Sequence, residues 1–203
     1  MTRIYLIRHG ETEWNKEGRL QGHSNVLLSP EGIHQAQLLA EHMPFHNVDA
    51  IYSSDLSRAM ETARILAAKL GLSVIQESGF REVNFGDWEG RNFSELATEV
   101  PEGFENFFTR PDKAHPPNGE TFLEAQARAL TALDEVIDER DEQSIIIVSH
   151  GAVIRLLLCA ALGMPLRKMW TISQFNMAVN ILRLDDGNPT VELLNSTLHL
   201  YHF

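Results

Sequence analysis

A single cysteine, Cys159, leaves this chain of 203 residues without an intramolecular disulfide. Stability must then come from an apolar core, which fits a reducing compartment. Long apolar runs are also missing. The longest, Ala152 to Met164, is interrupted by Arg155 and is too short to span a bilayer. The start, Met1-Thr2-Arg3, reaches only a few apolar residues before Arg8, so no secretory leader is visible. Basic charge is scarce: 17 Lys and Arg stand against 28 Asp and Glu, a net charge of −11 with His neutral. Nucleic acid and anionic membranes need a basic field, so neither is expected as a partner. A small anionic substrate is not excluded, because a few arginines in one cleft can dominate locally. Repeats and low-complexity segments are absent. The expectation is a soluble cytoplasmic protein, one domain over residues 1–203, whose 43% apolar content suffices for a full core.

What is present is organised around Ile4-Tyr5-Leu6-Ile7-Arg8-His9-Gly10-Glu11-Thr12-Glu13-Trp14-Asn15. Four apolar or aromatic residues read as a buried strand, which gives way abruptly to Arg, His and Gly. Residues 11–25 are polar, with Gly18 and Gly22, and read as loop. Ser29-Pro30-Glu31 is a helix start, followed by Ile33, Ala36, Leu39, Ala40 and Met43 on one face up to Pro44. Ala50-Ile51-Tyr52 is a short strand. Ser53-Ser54-Asp55 are cap candidates for a helix over Leu56 to Leu70, which Gly71 ends. Ser73 to Gln76 is a third strand, and residues 80–90 an ordered loop. Residues 91–120 are rich in Phe and Pro and read as a lid-like excursion with short helices. Its Phe104, Phe107 and Phe108 either line an apolar wall or anchor the excursion. An amphipathic helix over Thr121 to Glu139, an apolar strand over Ser144 to Ser149 and a buried helix over Ala152 to Leu162 follow. A hairpin around Asp186-Gly187 closes the chain. Strands alternating with helices give an α/β fold with a mostly parallel central sheet. Apolar Val179, Ile181 and Leu182, read as an edge strand, leave room for a homodimer.

Three times a strand runs into residues suited to phosphate: Arg8-His9-Gly10, Ser53 to Arg58, and Ser149-His150-Gly151. Parallel strands point the same way, so these ends converge on one rim, where helix N-termini add donors. Two His and two Arg around one point form a phosphoryl site with one imidazole free to attack. The leaving alkoxide needs a proton. Glu82, in the loop after the third strand, is the candidate acid, held protonated by a bound phosphate beside it. Glu11, Glu13 and Asp87 are alternatives. Arg8 and Arg58 have a competing structural role as ion-pair partners of Glu11 or Asp55, and His9 and His150 one as strand-end caps. His42 and His46 have metal-like spacing, but Pro44 between them breaks the helix that would align them, so no metal site is expected.

Arg8-His9-Gly10-Glu11-Thr12-Glu13-Trp14-Asn15 resembles the signature of the histidine phosphatase superfamily, the phosphoglycerate mutase-like proteins. Gln21-Gly22, Ser53 to Ala59, Glu82 with Gly86-Asp87-Trp88-Glu89-Gly90, Gly119-Glu120-Thr121 and Ser149-His150-Gly151 stand in the family's order. The resemblance implies a three-layer α/β/α sandwich without a metal or other cofactor. It implies His9 as the nucleophile that becomes phosphohistidine, Glu82 as proton donor, and Arg8, Arg58 and His150 as ligands of the phosphoryl group. Asn15, Gln21, Gly22 and the Gly151 backbone would line the pocket. After Gln21-Gly22 the family often has Asp and then Pro-Leu-Thr, where this chain has Asn25-Val26-Leu27-Leu28-Ser29, so the pocket rim departs from the pattern.

Three functions fit these residues: a metal-independent phosphatase for small phosphorylated metabolites, a cofactor-dependent phosphoglycerate mutase, or a non-catalytic phospholigand binder. A mutase needs extra cations and a cover. Residues 91–120 offer only Arg91, Arg110 and Lys113, and lack the adjacent arginine pair such mutases carry. Leu200-Tyr201-His202-Phe203 gives no long tail. A binder would be expected to have lost His9, His150 or Glu82. The phosphatase, resembling the broad-specificity branch, is the expected function.

Overall fold

Ile145-Ile146-Ile147-Val148 is wholly buried in a strand over Ser144–Ser149, because helices cover both faces of the sheet there. The computed structural model describes residues 1–43, 47–185 and 188–201. Pro44, His46, Asp186 and Gly187 of the expected hairpin, His202 and Phe203 lie outside the described residues. The strands are β1 (Thr2–Arg8), β2 (Ala50–Ser53), β3 (Val74–Gln76), β4 (Ser144–Ser149), β5 (Val179–Asp185) and β6 (Asn188–Ser196). They form one sheet in the order β3-β2-β4-β1-β5-β6. The first four strands of that order are parallel, and β5 and β6 add to them antiparallel. β5 is therefore an inner strand and not an edge, and Val179 and Leu182 on it are buried in the core.

The helices are α1 (Glu13–Lys16), α2 (Pro30–Glu41), α3 (Ser57–Leu70), α4 (Phe93–Glu99), α5 (Pro101–Thr109), α6 (Phe122–Glu139) and α7 (Gly151–Ala161). Sheet alternation sends Tyr5, Ile7, Ile51, Ile146 and Val148 to one side, against Leu39 of α2 and Ala59, Ala63 and Leu66 of α3. Ile4, Leu6, Ile145 and Ile147 face the other side, against α6 and α7. The three layers follow from that alternation. Caps set the helix starts. Ser29 accepts from the Gly32 amide, and Thr121 forms a reciprocal capping box with Glu124. Gly71 ends α3 with φ +69°, a left-handed conformation that suits glycine.

Four local expectations change. The supposed loop over residues 11–25 contains α1, which is a single turn capped by Thr12. Ile33 is exposed, and Leu38 is buried instead. Ser53-Ser54-Asp55 do not cap α3. Its N-cap is Leu56, without a side-chain bond, and the Ser54 hydroxyl is used elsewhere. Residues 80–90 are reinforced by 3₁₀ turns at Ser78–Phe80 and Gly86–Trp88. In the excursion, Phe104 and Phe107 pack on Trp88, and Phe107 also touches Phe85, Phe122 and Trp170. Phe108 is 49% exposed. Among the described residues no helix is long and apolar enough to cross a membrane.

Candidate active site

β1, β4 and β2 stop at the same level: Arg8 pairs with Ser149, and Ser53 with Val148. The chain leaves each strand still in register. The His9 amide donates to the Ser149 carbonyl (3.0 Å) and the Ser54 amide to the Val148 carbonyl (3.0 Å). Adjacent parallel strand ends thus bring Arg8-His9, Ser54 to Arg58 and His150 to one point. A cavity of about 330 Å³ opens over it. A larger one, about 650 Å³, lies among Ile4, Leu133, Leu157 and Asp138, away from every candidate residue.

His9 is buried, and its Nδ1 lies 2.7 Å from the Gly10 carbonyl oxygen. A carbonyl only accepts, so Nδ1 carries the proton and Nε2 keeps its lone pair. Burial, reinforced by the charges of Arg58 and Arg8, holds the His9 pKa well below its ordinary value and the ring neutral. Gly10 allows this approach: a Cβ there would lie 2.4 Å from the Gly32 carbonyl oxygen. His150 is also buried, with its ring centroid 5.1 Å from that of His9 and its Nε2 2.8 Å from the Ser54 hydroxyl. Its pKa is lowered by burial first, then by Arg58, His9 and Arg8.

Arg8 donates from Nη1 to the Gln174 carbonyl (2.6 Å), and Arg58 to the carbonyls of Gly22 (2.7 Å) and Ser24 (2.8 Å). These bonds fix both guanidinium planes. Among the described residues no carboxylate lies within 4 Å of either. Asp55 pairs with Arg81, and Glu11 with Lys16, so the structural ion-pair reading does not hold. Desolvation pushes both Arg pKa values down to about 10, which leaves both charged at neutral pH. Nε of Arg8, Nε of Arg58 and Nδ1 of His150 are buried without a protein partner. That set of nitrogens suits an oxyanion in contact with His9.

Glu82 lines the cavity at the start of α7, where its carboxylate accepts from the amides of Val83 (3.0 Å), Ala152 (3.2 Å) and Val153 (3.3 Å). Glu11, Glu13 and Asp87 are not in the cavity wall. His23 donates to the Glu82 carbonyl (2.8 Å), and Arg128 of α6 donates to the carbonyls of Gly79 (2.6 Å) and Arg81 (3.1 Å), so the acid's loop is held from two sides. Asn15, Gln21, Gly22 and Gly151 all line the cavity; His150, buried beside His9, is not among the wall residues. Phe107 is part of the wall as well as of the core, whereas Phe104 belongs to the core alone and Phe108 to neither. Sequence reasoning did not assign Ser54 to His150, nor Asn176, which donates to the His9 carbonyl (3.1 Å) and to Asn15 Oδ1 (3.2 Å). It also left out Arg155 and Trp170 in the wall. Arg155 had a signal, as the one charge in an apolar helix; Asn176 had none. Among the described residues no group of three His, Cys, Asp or Glu could hold a metal ion.

The family model described as histidine phosphatase superfamily (branch 1) matches residues 4–197. Phosphoserine phosphatase 1 of Hydrogenobacter thermophilus is 34% identical over 203 residues, covering 100% of this chain and 96% of that protein. Phosphoglycerate mutase-like protein 4 of Arabidopsis thaliana is 39% identical over 201 residues, 97% of this chain and 86% of that protein. The solved structure of YhfR from Bacillus stearothermophilus superposes with a TM-score of 0.94 at 33% identity, covering 99% of this chain and 100% of that one.

Proposed function

This chain belongs to the histidine phosphatase superfamily, and from that premise we propose that it cleaves small phosphate monoesters in two steps through His9. The reaction class, phosphoric monoester hydrolysis, is that of its phosphatase relatives. The observation that carries the mechanism is the neutral His9 ring, with Nδ1 tied to Gly10 and Nε2 free beside Arg8, Arg58 and His150. In the first step the Nε2 lone pair forms a bond to phosphorus and the bond to the ester oxygen breaks. Glu82 gives its proton to that oxygen. In the second, Glu82 takes a proton from water, whose oxygen attacks phosphorus, and the bond to Nε2 breaks. Arg8, Arg58 and His150 bind the phosphoryl oxygens where charge gathers; losing one such donor typically costs about 10²–10³-fold in kcat. Asn15, Gln21, Gly22 and the Gly151 backbone line the path of the leaving group.

Hydrolysis is favoured over phosphoryl return to a second oxygen because, among the described residues, the excursion's cations Arg91, Arg110 and Lys113 all lie outside the cavity wall. Arg91 pairs with Glu99 and Arg110 with Asp112. The substrate is a small phosphorylated metabolite met in the cytoplasm, a setting supported by the single, buried Cys159. Turnover of a generic aryl phosphate in excess chelator, lost in His9→Ala, is the expected result. Chelator-sensitive turnover, or full turnover in His9→Ala, would overturn the mechanism.

A further inference from the structure

Arg155 has no part in the two steps above, yet it lines the same cavity. It is half-buried on α7, one turn beyond Gly151. Nη1 donates to the Gly151 carbonyl (2.9 Å), Nε donates to the Ile172 carbonyl (2.7 Å), and the guanidinium lies 5.2 Å from the Trp170 ring centre. Those contacts fix its plane and leave three of its five N–H groups unused. A Cβ on Gly151 would fall 3.2 Å from Arg155 Nη1 and 3.3 Å from Arg8 Nε, so the two guanidinium groups flank one spot.

Among the described residues no carboxylate lies within 4 Å of Arg155, whereas the other cation on the rim, Arg19, pairs with Glu17. The cavity therefore holds three arginines with no acid within 4 Å, and the one carboxyl group that shares the wall with them, Glu82, is the proposed proton donor. A phosphoryl dianion is matched by Arg8 and Arg58, which leaves one positive charge beside it. A desolvated guanidinium without an anion is unfavourable. One cation backed by an aromatic ring in a cavity of about 330 Å³ suits a planar monoanion rather than a second phosphate.

We infer that Arg155 determines specificity by binding a carboxylate attached to the carbon that bears the ester oxygen. The substrate class is then the phosphorylated 2-hydroxy acids and their close homologues. This inference rests on the phosphatase reading. 2-Phosphoglycolate and ethyl phosphate test it, since they differ in little but carboxylate against methyl. The wild type should favour 2-phosphoglycolate at least tenfold in kcat/KM. Arg155→Met should remove most of that ratio, chiefly through KM, and Arg155→Lys should retain part of it. A wild-type ratio near one, or a ratio unchanged in Arg155→Met, overturns the inference while hydrolysis of both esters leaves the phosphatase reading intact. If neither ester is hydrolysed by the wild type, it is the phosphatase reading that fails. Should Arg155→Met not fold, the wild-type ratio and its fall in Arg155→Lys decide the matter; an unchanged ratio in Arg155→Lys contradicts the carboxylate contact.

Discussion

At the scale of single residues, one glycine and one hydroxyl decide whether His9 and His150 can work. Gly10 gives the carbonyl that fixes the His9 tautomer, and its Cα faces the Gly32 carbonyl too closely for any side chain. Gly10→Ala should therefore displace the His9 ring. We expect kcat to fall at least tenfold, with a lower melting temperature; wild-type kinetics in that variant would contradict the tautomer argument. The Ser54 hydroxyl, 2.8 Å from His150 Nε2, holds the orientation of that ring. Cys159 lies at the other extreme. Burial raises its thiol pKa, so it should resist aryl disulfide reagents in the native protein and react fully once the chain is unfolded.

At the scale of elements, caps and clamps connect stability to the site. Thr121→Ala removes the hydroxyl half of the α6 capping box and leaves the backbone amide of residue 121 bonded to Glu124, which should cost about 1 kcal/mol. For a chain of this size that lowers the melting temperature by about 2–4 °C. Arg128 lies further along α6 and grips the loop carrying Glu82. Arg128→Met should lower kcat more than it raises KM, and a pure KM effect would argue against positioning of the acid. The elements legible in the sequence were those with a period and a cap: α2 with Ser29-Pro30, α6 with Thr121 and Glu124, and the all-apolar β4. A one-turn helix such as α1 has no period to read. The placement of β5 inside the sheet depends on its pairing with β6, and that is a tertiary fact. Arg8, His9 and His150, which the proposed mechanism uses, were legible because they stand at or directly after the ends of β1 and β4. Ser54 looked like a cap because its local context is that of one; only the fold brings it to His150. Asn176 lies in an irregular segment before β5, where no pattern marks it.

At the scale of the whole molecule, the buried imidazoles tie folding to pH. His9, His150 and His199 all have native pKa values below the ordinary 6.5, with His199 lowered to about 4. The unfolded chain protonates them first as pH falls. Stability is therefore full above about pH 6.5 and is lost as pH drops toward the native values, by up to about 1.4 kcal/mol per pH unit for each group. Melting temperatures at pH 7.5, 6 and 5 should fall in that order, and more gently in His150→Gln; parallel slopes in the two proteins would contradict the assignment. For the same reason the acid limb of kcat/KM that reports protonation of His9 should lie below pH 6.5.

The central claim is that the phosphoryl group passes through His9 Nε2. Rapid quenching of the enzyme in alkali during turnover, followed by mass spectrometry of the peptide containing Arg8-His9-Gly10, tests it most directly. The account predicts an acid-labile, alkali-stable phosphoryl group on His9 that forms and decays at rates consistent with turnover. A phosphoryl group trapped on another residue, or a His9 that stays unmodified while hydrolysis shows a burst, would contradict it.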